Sequence, residues 1–250
     1  QEENPTDREH PRKLWAIDEA EAEVVRRIYR MFGGALRESV DYFCYLSQGS
    51  PEDLAAQCAE AGALPTIHPI ARDDRKVIRD ALAEALTADV VLSTGGVSVG
   101  EFDFVKDALD DLGVEQFFWK VRMKPGKPIT FGKKGRRPVF GLPGNPASSM
   151  VGFELFVRPT LRRLLGATEV LRPRAPVLLD QPYPHAGGRR HFLRASVRRE
   201  GGVLRGRPNT RQGSGMLRSM VGVNALFDVD EEAQTIAAGA AVSAILLEAI

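Results

Sequence analysis

The stretch Val90-Val91-Leu92-Ser93-Thr94-Gly95-Gly96-Val97-Ser98-Val99-Gly100-Glu101-Phe102-Asp103 decides the fold. It opens on a short apolar run, which suits a strand buried on both faces. Glycines at 95, 96 and 100 follow, and with no Cβ they let the backbone approach a ligand and turn its N–H groups inward. Beyond Asp103, the positions Val105, Ala108, Leu109 and Leu112 line one helical face, closed by Gly113. Strand, glycine loop and helix in this order make an anion cradle, because the helix N-terminus adds its dipole to the loop N–H groups. Asp103 itself has two readings. It can cap the helix, worth about 1 kcal/mol, or hold a divalent cation beside a bound phosphate.

The same grammar repeats on both sides. Upstream, Ser50, Pro51 and Asp53 read as a helix start, with Leu54, Ala55 and Cys58 as its stripe and Gly62 as its stop. Pro65 to Ile70 reads as a short strand, and Asp73 and Asp74 open a helix carrying Val77, Ile78, Leu82 and Leu86. Downstream come a strand at Phe117-Phe118-Trp119, another at Pro138-Val139-Phe140, and a helix from Pro146 to about Leu165. Alternating strands and helices imply an α/β domain: a parallel sheet with helices on both faces, its ligands at the carboxyl ends of the strands. After Gly166 the composition changes. Arg172 to Pro176 reads as a linker, and short strands follow at Val177–Leu179, His191–Val197, Val203–Leu204, Asn224–Val229 and Ala241–Leu247, with Gly201-Gly202 as a hairpin turn. The expected organisation is an unmatched N-terminal segment over 1–45, an α/β domain over 46–170 and a small all-β, barrel-like domain over 171–250. Residues 18–32 have helical spacing stopped by Gly33-Gly34. This helix resembles the one after the catalytic domain of serine recombinases or is a generic amphipathic helix, and no function follows from it.

Four further stretches bear on the chemistry. Gly141-Leu142-Pro143-Gly144-Asn145-Pro146-Ala147-Ser148 is either a rigid strand-to-helix turn or a ligand cradle, with Asn145 as N-cap, Pro146 as first helical residue and Ser148 as hydroxyl donor. Trp119-Lys120-Val121-Arg122-Met123-Lys124-Pro125-Gly126-Lys127-Pro128 alternates basic and apolar residues. Strand geometry puts Lys120, Arg122 and Lys124 on one face until Pro125 breaks it, which suits a small oxyanion or a phosphate. Gly187 to Arg194 is a basic strand start, and Gln212-Gly213-Ser214-Gly215 is a tight polar loop; alone, each is weak. The histidines, His10, His68, His185 and His191, are scattered and read as surface or packed residues.

Bulk properties bound the answer. The chain has 250 residues, 43% hydrophobic and 27% charged, with a formal net charge of +1, so no global field points to nucleic acid or an acidic membrane. Cys44 and Cys58 make neither a disulfide framework nor a zinc site and read as buried small hydrophobes, consistent with a cytoplasmic protein. No apolar run is long enough for a transmembrane helix, and the polar residues 1–10 do not read as a signal peptide.

These motifs, in this order, resemble the molybdopterin molybdotransferases of the MoeA and gephyrin E-domain type, from about Asp53 to the C-terminus. The resemblance implies a MoaB/Mog-like molybdopterin-binding domain followed by the β domain. It implies insertion of molybdenum from molybdate into adenylylated molybdopterin, with release of AMP, assistance from Mg2+ and an elongated homodimer. By motif position, Lys124, Lys127, Ser148, Arg194 and Ser214 are expected to hold molybdate, and Asp73 and Asp103 to act near the cation and the reacting phosphate. Lys120 matches a lysine of the same cleft. Thr94, Gly95, Gly96, Ser98, Gly100, Gly126, Pro143, Gly144, Asn145 and Pro146 are expected to contact substrate. The sequence departs from the family in two ways. The family's Thr-Gly-Asp-Glu loop has no counterpart in Tyr45-Leu46-Ser47-Gln48-Gly49, and the first 40 or so residues match none of the family's earlier domains, which implies a truncated or fused member. Two alternatives stand beside this reading: a molybdopterin adenylyltransferase, which shares the α/β domain but has a Gly-Gly-Thr-Gly loop and no β domain, and a non-catalytic pterin-binding or scaffolding module.

Overall fold

The computed structural model describes residues 41–46, 51–72, 74–95, 104–185 and 187–250. The expected helix at 18–32 lies outside them. The first lobe runs β1 (Asp41–Leu46), α1 (Pro51–Glu60), β2 (Leu64–Ile67), α2 (Arg75–Ala85), β3 (Val90–Thr94), α3 (Phe104–Asp111) and β4 (Glu115–Phe118). A short β5 (Met123–Lys124) follows, then β6 (Thr130–Lys134), β7 (Arg137–Leu142), and the helical stretch α4 (Pro146–Gly152), a π turn (Phe153–Val157) and α5 (Arg158–Leu164). Strand β1 crosses the expected boundary between residues 45 and 46 and pairs in parallel with both β2 and β3.

The sheet order among the described residues is β2-β1-β3-β7-β6-β4. Strands β2, β1, β3 and β7 are parallel, whereas β6 runs antiparallel to both β7 and β4. The expected all-parallel sheet is therefore corrected to a mixed one. The reason is local: Gly135, at φ +60°, turns β6 into β7 too tightly for the crossover a parallel pair needs.

Each buried strand feeds two cores by alternation. Val90, Leu92, Phe140 and Leu142 pack with Leu54 and Cys58 of α1 and with Val151, Phe156 and Leu161 of the last helical stretch. Val91 and Val139 point the other way, onto Ile78 and Leu82 of α2 and Val105 and Leu109 of α3. Helix α2 is capped by Asp74, whose carboxylate accepts the Val77 N–H at 2.9 Å. The π turn accommodates Pro159, which has no N–H to donate. There the Arg158 N–H reaches back to the Phe153 carbonyl, and the Thr160 hydroxyl donates to the Phe156 carbonyl at 2.8 Å.

The second lobe contains β8 (Arg174–Leu179), β9 (Arg190–Glu200), β10 (Val203–Pro208), a 3-10 turn (Leu217–Met220), β11 (Ala225–Val229) and β12 (Ala241–Leu246). The order β10-β8-β12-β11-β9 closes on itself because β10 also pairs with β9, so the lobe is a small barrel around Val177, Leu193, Ala195, Phe227 and Val242. The β9–β10 turn is Gly201-Gly202, at φ +60° and +83°, as the hairpin reading expects.

The lobes are sewn together at three places. Strand β5 of the first lobe joins the barrel sheet in parallel with β9, pairing Met123 with Arg190 and Lys124 with His191. Phe192, Leu226 and Ile245 of the barrel enter the first lobe's core. Residues 172–176, expected as a linker, are instead anchored: Arg174 to Pro176 begin β8, and Arg172 pairs with Glu154 at 3.0 Å and Glu60 at 2.7 Å.

Candidate functional site

Strands β3 and β7 are neighbours, with Thr94 opposite Leu142, so both glycine-rich loops leave the sheet from the same edge. The Gly95 N–H donates to the Leu142 carbonyl at 3.0 Å, which ties the start of one loop to the start of the other. Gly95 sits at φ +83°, a conformation that favours glycine. Thr94 and Ser93 are buried at this edge, and the Ser93 hydroxyl has no hydrogen-bond partner among the described residues. Gly96, Ser98, Gly100, Asp103 and Asp73 lie outside the described residues.

Pro143 is buried, Gly144 and Pro146 are half-buried, and Ser148 is buried in the first turn of α4. Asn145 occupies the N-cap position, but its side chain makes no capping bond. Its backbone carbonyl accepts from the Ser148 and Ser149 N–H groups, each at 3.0 Å, and its amide Nδ2 instead donates to Ser214 Oγ at 3.3 Å. The cap side chain is thus diverted across the seam. This contact joins two motifs 69 residues apart, the Gly-Leu-Pro-Gly-Asn-Pro turn and the Gln-Gly-Ser-Gly loop.

Arg194 supports that loop from below. It is 1% exposed, and its Nη2 donates to the Gly213 carbonyl at 3.2 Å. Its Nε is buried without a partner. Burial pushes the guanidinium down to about 10, countered only by Tyr183. No carboxylate pairs with it among the described residues, so it is a buried cation without a counter-charge.

The lysine segment is less regular than alternation implies. The strand is only Met123–Lys124, and Lys120 lies before it, half-buried. Arg122 is spent on Glu231 at 3.0 Å, so the expected basic triplet does not present three equivalent donors. Lys124 and Lys127 are exposed on either side of a tight turn in which the Val121 N–H donates to the Lys127 carbonyl at 2.9 Å. Gly126 there stands at φ +103°, packed under Met123 and Ile129.

The register also sorts these groups. Lys124 shares a side of the β5–β9 pair with His191, whereas Arg194 shares the opposite side with Phe192 and Met123. The structure therefore joins Asn145, Ser214, Gly213 and Arg194 in one group and sets Lys124 beside His191 in another. Two histidines read as unconnected prove to be paired: the His185 and His191 rings stand 4.4 Å apart, edge to face. Their separation in sequence, with a glycine turn between them, gave no periodic signal. Cys58 is buried as expected, and the side chain of Cys44 lies outside the described residues.

A family model described as a probable molybdopterin binding domain matches residues 50–163, and one described as the MoeA C-terminal region (domain IV) matches residues 176–247. The chain belongs to the MoeA-type molybdopterin molybdotransferase family. A relative from Mycobacterium tuberculosis, molybdopterin molybdenumtransferase 2, is 36% identical over 196 residues, covering 74% of this chain and 47% of its own length. The molybdopterin molybdenumtransferase of Bacillus subtilis is 35% identical over 173 residues, 69% of this chain and 40% of that protein. Among solved structures, a molybdenum cofactor biosynthesis protein from Pyrococcus furiosus aligns with a TM-score of 0.68 at 26% identity, covering 84% of this chain and 69% of that one. The chain spans about half the length of the curated relatives it matches. Among the described residues, no helix is long and apolar enough to cross a membrane.

Proposed function

We propose that this chain carries out, or forms part of a protein that carries out, insertion of molybdenum from molybdate into adenylylated molybdopterin with release of AMP. The observation that carries this reading is the seam contact between Asn145 and Ser214, with the unpaired, buried Arg194 beneath it. A cradle at the sheet edge suits a phosphorylated pterin nucleotide, since N–H groups and helix N-termini favour phosphate. A guanidinium with no counter-charge among the described residues, under the loop that carries Ser214, suits a tetrahedral oxyanion. A molybdopterin adenylyltransferase would leave the barrel, and hence Arg194 and Ser214, without a task.

In this reading Arg194, Ser148 and Ser214 hold molybdate, and Lys124 and Lys127, exposed on either side of the turn after β5, attract it by their charge. The loops after β3 and β7, including Thr94, Gly95, Pro143, Gly144 and Pro146, hold the nucleotide, and Lys120 contributes charge to the same cleft. The assignment of Mg2+ to Asp73 and Asp103 is not supported by geometry, because both lie outside the described residues. No group of three or more His, Cys, Asp or Glu among the described residues could hold a metal. The homodimer and a cytoplasmic location belong to the same proposal. A single-turnover assay with adenylylated molybdopterin and molybdate tests it: molybdate-dependent AMP release is expected, and its absence from a folded protein would overturn the reading.

A further inference from the structure

His185 and His191 have no part in the function proposed above, yet their setting is unusual. His185 is 7% exposed, and neither of its ring nitrogens has a hydrogen-bond partner among the described residues. Buried polar atoms are normally paired, so two open positions on one ring call for a missing partner. His191 is half-buried against it on the side of β9 that also carries Lys124. The titratable groups that act on His191 are the His185 ring, Lys124 and Arg189, and all are basic. Glu231 is close in the chain fold, its carbonyl accepting the Gly188 N–H, but its carboxylate is held by Arg122 at 3.0 Å. Burial first, and these cations second, keep the His191 ring neutral, with its pKa down to about 4. Basic groups converge here with no counter-charge among the described residues, around a buried ring with unmade hydrogen bonds. An anion that accepts hydrogen bonds from several directions would resolve both deficits.

We propose that His185, His191, Lys124 and Arg189 form an oxyanion subsite, on the opposite side of the β5–β9 pair from Arg194, that binds a tetrahedral dianion and takes up a proton on an imidazole as it does so. Only binding and protonation are involved; no covalent bond changes. Molybdate, phosphate and a phosphate monoester share the chemistry that would be recognised. Lys124 is common to this subsite and to the molybdate pocket proposed above, but the histidine arrangement does not depend on that pocket.

The test uses the whole chain and sulfate, whose charge is constant over the relevant pH range, followed by molybdate. Imidazole C–H resonances are recorded by NMR during titrations between pH 5.5 and 8. Saturable shifts of both His185 and His191 are expected, with affinity falling by up to about tenfold per pH unit above the free His191 value of about 4 and levelling off once pH passes the ligand-bound pKa. His191→Gln should weaken sulfate binding about tenfold at pH 6 and flatten its pH dependence. Histidine resonances that do not move, or that drift without saturating, would overturn the proposal. So would a folded His191→Gln protein with unchanged affinity and pH slope. Should that variant fail to fold, the titration of the unaltered protein decides alone. A saturable histidine response without molybdate-dependent AMP release would leave this subsite standing and remove the transferase reading. AMP release with silent histidines would do the reverse.

Discussion

Replacing Arg194 with methionine should stabilise the protein while removing its grip on molybdate. Arg194 is 1% exposed and its Nε has no partner among the described residues. Burial lowers its pKa to about 10, which corresponds to about 3 kcal/mol held against the charged form. The folded-state value lies below the unfolded one, so this penalty is fully present at every pH below about 10 and is relieved only above it. Arg194→Met removes the penalty and loses the hydrogen bond to Gly213, worth about 1 kcal/mol. The net gain is about 1–2 kcal/mol, or a rise in Tm of roughly 3–6 °C for a chain of this size. The assay is thermal melting at pH 7.5, with and without molybdate. Bound ligand at a hundred times its Kd should add about 2.7 kcal/mol to the wild type and nothing to the variant. A variant that melts below the wild type by more than about 2 kcal/mol would refute the reasoning, because the guanidinium would then be a strut for the 212–215 loop. Undiminished stabilisation by molybdate would refute it equally.

Asn145→Ala and Ser214→Ala, combined in a double-mutant cycle, should show a coupling of no more than about 1 kcal/mol in stability, since they share one neutral bond at 3.3 Å, with a larger loss in molybdate-dependent AMP release. Gly126→Ala should cost about 1–3 kcal/mol in urea unfolding and weaken molybdate binding, because a Cβ at φ +103° would stand 2.9 Å from Met123 Cε and 3.1 Å from Ile129 Cδ1. Asp228→Asn should cost about 3 kcal/mol in the same assay, because the Asp228 carboxylate takes Arg190 at 2.6 and 2.9 Å and Arg174 at 2.6 Å. Stability should fall as pH drops from about 6.5 towards 4, because His191 is neutral in the fold down to about 4 and the unfolded chain takes up that proton first; His191→Gln should flatten the decline.

What the sequence made legible follows from where the physics is local. The run Val90–Leu92, Gly95 after it and the stripe Val105, Ala108 and Leu109 each follow from short-range rules, and each stands where those rules place it. The hairpin partner β6 was hidden because Thr130 to Lys134 carries Gly132 and two lysines, a weak strand signal. Gly132 is there for a packing reason, since a Cβ would stand 2.8 Å from the Glu115 carbonyl. Asn145 misled in the opposite direction: its N-cap position was readable, but the Ser214 bond that claims its side chain is 69 residues away. The Arg190–Asp228 clamp and the burial of Arg194 are likewise tertiary, and no short window of sequence contains both sides of either; His185 and His191 share a window, but the glycine turn between them breaks any helical or strand period.

Strand β9 ties the two candidate anion positions together, and its register decides whether either exists. Arg194 and His191 face opposite sides of it, so a one-residue slip would exchange the faces and disassemble both. Three features hold the register. The Gly201-Gly202 turn fixes β9 against β10, and the Asp228 clamp fixes Arg190 against β11. The third is Gln212, whose side-chain amide pairs with Arg194 as a neighbouring strand would: Oε1 accepts the Arg194 N–H at 3.2 Å and Nε2 donates to the Arg194 carbonyl at 2.8 Å. This amide continues the ladder just past the end of β10 at Pro208, where the Asn209 N–H also donates to the Arg194 carbonyl. Gln212 is therefore a positioning residue for Arg194, and the Gln-Gly-Ser-Gly loop has two functions that separate by mutation. Gln212→Glu keeps the acceptor but turns a carboxylate oxygen towards the Arg194 and Asn209 carbonyls that Nε2 serves at 2.8 and 2.9 Å. It should lower stability by more than the loss of the donor alone and abolish stabilisation by molybdate, because a negative charge then stands beside the Gly213–Gly215 loop. Gln212→Ala, which empties the ladder position without adding charge, should lower stability by about 1–3 kcal/mol and keep part of the molybdate stabilisation. If both variants lost stability equally and molybdate binding survived in the glutamate form, the amide would be a packing element with no bearing on the anion.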